Sequence, residues 1–292
     1  MRSSRILRLT APALLVASAL VAAVAGCGGQ DASGSADVRI AATTGIAADI
    51  VEQVAGDTAE VTQLVPDGAS PHSYSPSARE QQEIAESDLL VYFDPALEES
   101  LPIEAASSRF AIADHIGKAT TDPHVWLDPT AIAAALPALA DALAKVDPEH
   151  ASEYRRRAEK YGAELEALDA ELAEMVASVP RDNRKLVTSH ESMDYFADRY
   201  GFEFVGAPFG LSPEAEASAG EVAELIDLVK ASGVPAVFAQ QGDDPEVLRL
   251  IAKEAGVDVV DDLLVESLGE QAGTYVEMMR YTTGRITDAL GG

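Results

Sequence analysis

Short apolar, β-branched runs recur along the chain and alternate with segments whose apolar residues return every three or four positions. Residues 38–44 (VRIAATT), 61–65, 89–93, 186–189, 234–239 and 257–260 read as strands, and residues 46–54, 78–85, 217–230 and 245–255 carry helical periodicity. Alternation of this kind predicts an α/β fold with mainly parallel sheets, because parallel strands need helical crossovers between them. The rhythm breaks once. Asp147-Pro148-Glu149 is a helix start with proline at the first helical position, and helical character then runs to about Ser178, before Pro180. Tyr154, Ala158, Tyr161, Leu165, Leu168, Leu172 and Met175 alternate steps of four and three, which draws one apolar stripe along roughly 45 Å of helix. The expected organisation is an N-terminal α/β lobe (38–146), a linking helix (147–180) and a C-terminal α/β lobe (181–292), with the helix as a rigid spine.

The first 37 residues stand outside that pattern. Arg2, Arg5 and Arg8 precede an apolar run, APALLVASALVAAVA, of signal-peptide length, which is short for a membrane-spanning helix. The run ends in Val24-Ala25-Gly26-Cys27, small residues leading to the only cysteine in the chain. This suggests a bacterial lipobox, so residues 1–27 are expected to be a signal peptide with Cys27 the lipidated first mature residue. Residues 28–37 (GGQDASGSAD) are small and polar, as suits a flexible tether. A lipid anchor on the outer face of the cytoplasmic membrane follows from this reading.

Charge narrows the partners. The formal net charge is −28, and it becomes −31 once the three leader arginines are set aside. Such a chain repels nucleic acid and anionic lipid and attracts cations, although most of these carboxylates belong on solvated helix faces. Candidate chemistry rests on five histidines: His72, His115, His124, His150 and His190. His72 lies in PDGASPHSYSP after the 61–65 strand, His124 in DPHVWLDP with the only tryptophan, and His190 in Thr188-Ser189-His190 after the 186–189 strand. Ligands of parallel α/β sheets gather at the carboxyl ends of strands, and flanking prolines restrain the loops of His72 and His124. Spacings of 52 and 66 residues are unlike a compact metal motif, so each histidine taken alone reads better as a loop residue bonded to backbone. His115 and His150 are expected to be ordinary, with His150 exposed in the first turn of the spine.

The words around the three histidines carry more than their spacing. Pro71-His72-Ser73-Tyr74-Ser75-Pro76-Ser77, Asp122-Pro123-His124-Val125-Trp126-Leu127-Asp128-Pro129, and Thr188-Ser189-His190 followed by Tyr195-Phe196-Ala197-Asp198-Arg199-Tyr200-Gly201 resemble the zinc/manganese solute-binding proteins of bacterial ABC importers. The likeness continues through Phe238, the Ile251–Gly256 word IAKEAG, Glu266-Ser267-Leu268 and Thr274-Tyr275, covering the mature chain in order. The resemblance implies two lobes joined by a long helix, with a metal ion in the cleft between them and two ligands from each lobe. Carried over, His72 and His124 become the N-lobe ligands and His190 the first C-lobe ligand. The fourth, normally an aspartate in an Asp-Ser-Leu word, falls on Glu266, with Asp261 and Asp262 as nearby rivals. Two departures are Gln240, where many relatives have glutamate, and the absence of a His-rich run between residues 101 and 121.

Three imidazoles and one carboxylate suit Zn2+, and manganese-binding relatives usually carry a carboxylate in place of the third histidine. The resemblance therefore implies a monomeric carrier of a divalent transition metal, zinc favoured and Mn2+ possible, that delivers its ion to a membrane permease. A manganese-specific protein or a metal-binding surface adhesin are the alternatives. An enzyme is not expected: four protein ligands describe a closed site, and the chain has no Gly-x-Ser-x-Gly, Walker, His-Glu-x-x-His or dinucleotide word.

Overall fold

The structure, a computed structural model, describes residues 38–117, 121–210 and 218–291. The leader, Cys27 and the tether, together with Ala217 of the expected 217–230 helix, lie outside the described residues. Strands β1 (Val38–Ala42), β2 (Ala59–Gln63), β3 (Leu89–Tyr92) and β4 (Arg109–Ala111) form one parallel sheet in the order β2-β1-β3-β4. Helix α1 (Gly45–Ala55) crosses from β1 to β2 and starts at Thr44, whose side chain accepts from Ala47 N. Helix α2 (Ala78–Glu86) starts at a capping box in which Ser77 and Glu80 satisfy each other's backbone N–H groups. These caps explain why both helices were legible within a residue or two.

In the second half β5 (Lys185–Val187) pairs with β6 (Glu203–Gly206), and β7 (Ala236–Gln240) pairs with β8 (Asp258–Leu263), both in parallel. A single bridge between Thr188 and Phe238 joins the pairs. Helices α5 (Asp194–Tyr200), α6 (Ala219–Ser232) and α7 (Glu246–Ala255) connect these strands, and α8 (Tyr275–Leu290) closes the chain. Only β7 is buried along its full length, in line with its position inside this group.

Between the halves run α3 (Pro129–Val146) and the long α4 (Ala151–Ala177), preceded by a 3-10 turn at Pro148–His150. The buried stripe of α4 is Tyr154, Ala158, Tyr161, Leu165, Leu168, Leu172 and Val176. The last position differs from expectation: Val176 is buried and Met175 is only partly so, because the final step is four residues rather than three. That stripe packs against α1 and α3 from the first half and α8 from the end of the chain. One core cluster, from Ile40 and Ile46 through Leu136 and Leu165 to Tyr275 and Leu290, takes side chains from α1, α3, α4, α5 and α8, whereas Leu225 and Val229 of α6 and Leu248 and Ile251 of α7 pack in a separate cluster.

Candidate metal centre

The four candidate ligands come from four separate loops. His72 lies in the segment between β2 and α2, where its N–H donates to Ser70 Oγ at 3.3 Å. His124 precedes a 3-10 turn, Val125–Leu127, that leads into α3. His190 follows β5, and its carbonyl accepts from Thr188 Oγ1 at 2.7 Å. Glu266 follows β8, two residues after Leu264, whose carbonyl accepts from Thr282 on α8. Hydrogen bonds thus hold the backbone in the His72, His190 and Glu266 loops, and the four loops bring their side chains to one place.

The convergence is tight. One ligating atom from each of His72, His124, His190 and Glu266 can be chosen so that all lie within 4.8 Å of one another. Glu266 Oε1 is 3.2 Å from His72 Nε2, 3.2 Å from His124 Nε2 and 2.8 Å from His190 Nε2. His72 Nε2 and His124 Nε2 are 3.4 Å apart. The side chains of His124 and His190 are 0% exposed, against 6% for His72 and 8% for Glu266. His190 Nε2 has no hydrogen-bond partner despite its closeness to Glu266.

Two of the rings are held from behind. Asp122 Oδ1 lies 2.5 Å from His124 Nδ1 and accepts from His124 N at 2.8 Å, while Asp122 Oδ2 accepts from Asp194 N across in the second half. Asp243 Oδ2 lies 3.0 Å from His190 Nδ1. A carboxylate on Nδ1 fixes the tautomer that leaves Nε2 free to ligate. Burial alone pushes His190 down, but the carboxylates of Asp243 and Glu266 outweigh it and lift the imidazole to about 10. His124 is likewise raised: burial opposes protonation, and Asp122 with Glu266 overcomes it. Glu266 is held well below its ordinary range, since the three imidazoles outweigh the cost of burying its charge. The carboxylates of Asp122, Asp243 and Glu266 thus favour the charged form of the His124 and His190 rings.

The remaining histidines lie elsewhere. His115 is exposed and stacks on Phe110, ring centroids 4.7 Å apart. His150 is less exposed than expected, because its Nδ1 pairs with Asp147 Oδ2 at 2.6 Å. The rivals to Glu266 face solvent: Asp261 pairs with Arg249 at 3.1 Å, and Asp262 sits in the strained left-handed region at φ 65°. Sequence reasoning missed Asp122 and Asp243 as ring braces. Asp122 stands two residues from His124 and was open to notice, whereas Asp243 lies 53 residues from His190 and only the fold joins them.

Comparison with known proteins agrees in extent with the fold. The family model ZnuA, zinc-uptake complex component A, periplasmic, matches residues 40–289. The chain is 31% identical over 302 residues to the manganese-binding lipoprotein MntA of Bacillus subtilis, covering 94% of this chain and 98% of that one. It is 28% identical to the zinc-binding protein TroA of Treponema pallidum, covering 90% of this chain and 92% of that one. The solved structure of TroA superposes with a TM-score of 0.81 at 26% identity, covering 87% of this chain and 99% of that one.

Proposed function

The chain belongs to the ZnuA family of solute-binding proteins, which are not enzymes, and from that membership we propose that it captures one Zn2+ ion through His72, His124, His190 and Glu266 and delivers it to an ABC importer in the membrane. As a member it is a divalent-metal binding protein for ABC import, and the choice of zinc is the finer claim. The observation that carries it is the donor set: three imidazole nitrogens and one carboxylate oxygen around one point. At Zn–ligand distances of about 2.0–2.1 Å, a tetrahedron has edges of about 3.3–3.4 Å. The separations of 3.2, 3.2 and 3.4 Å already match that edge, and the 2.8 Å approach of His190 opens slightly when the ion enters.

Relatives divide over the metal: MntA of Bacillus subtilis is a manganese-binding lipoprotein, which supports a second reading, whereas TroA of Treponema pallidum is a zinc-binding protein. Hard Mn2+ prefers oxygen donors, and a site with three nitrogens to one oxygen works against it. The test is competition. Full-length protein exposed to equal zinc and manganese is expected to carry one zinc per chain by mass spectrometry. Predominant manganese would overturn the zinc claim while leaving metal capture intact.

In this reading residues 38–146 and 181–292 are two lobes linked by residues 147–180, with the ion in the cleft. Cys27 carries the lipid that holds the monomer at the outer face of the cytoplasmic membrane beside its permease. A Cys27→Ala protein is expected to leave the membrane fraction. Retention there with the leader removed would contradict the anchor.

A further inference from the structure

Asp243 is not one of the four ligands, and it sits in the turn between β7 and α7 rather than in a strand or helix. Its side chain is nonetheless only 5% exposed. A single oxygen, Oδ2, faces two donors: Ser189 Oγ at 2.5 Å and His190 Nδ1 at 3.0 Å. Ser189 Oγ in turn accepts from Gln240 N at 3.2 Å. These bonds tie the end of β5 to the end of β7, where the strand ladder supplies only the Thr188–Phe238 bridge. The neutral Gln240 side chain turns to Ser192 instead, its Nε2 donating to Ser192 Oγ at 2.6 Å. Apart from Glu266, Asp243 is thus the carboxylate in contact with His190 among the described residues.

The preceding residue adds a second link. Gly242 has φ +96°, and a Cβ built on it would come within 3.0 Å of the carbonyl oxygen of Gly68. Gly68 belongs to the loop that carries His72. One turn therefore holds His190 directly and lies against the backbone of the His72 loop.

We propose that Asp243 is a positioning residue that fixes the His190 ring for the ion, and that through this turn it sets how long the ion stays bound. The proposal rests on the metal-binding reading above. An imidazole whose Nδ1–H is held by a carboxylate keeps its Nε2 lone pair on the ion. Without the brace, the ring rotates or changes tautomer at little cost, and dissociation needs only that first swing. Gly242 matters because a side chain there would press the turn and the Gly68 carbonyl apart at a φ that L-residues rarely adopt.

The experiment compares the full chain with D243A, D243N, D244A and H190A. Zinc affinity is read by chelator competition, zinc release by stopped flow, and the His190 Nδ1 proton by NMR of the zinc-loaded protein. D243A is expected to bind zinc about 10- to 100-fold more weakly, chiefly through faster release, and to lose the protected proton signal. D243N, whose amide oxygen still accepts both hydrogen bonds without the charge, is expected to lose less; it also serves if D243A folds poorly. D244A, which removes a carboxylate that caps Glu246 N at the exposed end of the turn, is expected to match the parent. Parent-like affinity and proton signal in D243A would overturn the proposal, as would equal damage from D244A. H190A separates the two readings: if it keeps the parent's zinc affinity, the metal site itself is misassigned, whereas if H190A loses zinc and D243A does not, only the role of Asp243 fails.

Discussion

His124 and His72 are both loop histidines of the first half, flanked by proline, yet the structure supports them differently. His124 is sealed at the floor, with its ring braced by Asp122 and its edge against Trp126, ring centroids 5.1 Å apart. The same floor is stitched across the two halves. Trp126 Nε1 donates to the carbonyl of Val265 at 2.6 Å, Tyr275 Oη donates to the carbonyl of Trp126, and Tyr275 N donates to Asp49. His72 sits at the rim, its backbone held only by Ser70, and no carboxylate meets its Nδ1 among the described residues. In the proposed reading the braced floor ring costs less entropy to fix than the unbraced rim ring, whose position rests more on the ion itself.

The largest effect separating the two is expected from His124→Ala. It removes a ligand and leaves buried Asp122 without its ring partner, so zinc affinity should fall by well over the ~100-fold typical of losing an outer brace. His72→Ala is expected to cost less and to appear mainly as faster zinc release in stopped-flow chelation. Equal losses in both variants would erase the distinction between floor and rim.

The pH dependence comes next in size. The surrounding carboxylates raise His190 to about 10 and also raise His124, so in the proposed reading an entering ion competes with protons at these two rings. Affinity is expected to rise about tenfold per pH unit for each proton displaced, flattening only as pH passes the raised His190 value. Calorimetry in buffers of different ionisation enthalpy reads this directly; absence of proton release at neutral pH would contradict it. Metal-free stability follows the opposite sign for the imidazoles. What His190 contributes is fully present below its ordinary 6.5 and is lost as pH rises through about 10. The contribution of Glu266, held below its ordinary 4.5, is present above that value and lost as pH falls.

Smaller still is Trp126→Phe, which keeps most of the packing but strands the buried Val265 carbonyl. A loss of about 1–3 kcal/mol in unfolding free energy is expected by denaturant titration, with zinc stoichiometry unchanged. The smallest effect belongs to the Asp261→Ala/Asp262→Ala double variant. Its carboxylates are solvated, so zinc affinity should stay with the parent, and a marked loss would show that Glu266 is not the closing ligand.

Much of this was legible in the chain because local chemistry and tertiary structure agree. Thr44, Ser77 and Ser218 cap the helices whose periodicity marked them, and the α4 stripe could be read from its steps of four and three. Where local signals are short or mixed, reading failed. Strand β4 is three residues, Arg109–Ala111, too few to show a period, and α3 is alanine-rich with Pro137 inside it, which reads as a break rather than a buried helix. Helix α5 follows His190 with no side-chain cap to announce it. The four candidate ligands are chosen from the words around them, and the structure gathers those four side chains into one cluster. The brace from Asp243 was not recoverable, because a hydrogen bond spanning 53 residues leaves no local trace.

Zinc K-edge absorption spectroscopy of the full chain loaded with one equivalent asks whether three imidazoles and one carboxylate hold a single ion. The expected first shell is four-coordinate, with nitrogen and oxygen scatterers at about 2.0–2.1 Å and the multiple-scattering pattern of three imidazoles. The same spectrum recorded on His190→Ala should show one imidazole fewer. A shell containing sulfur, or one whose imidazole count is unchanged in that variant, would contradict the account.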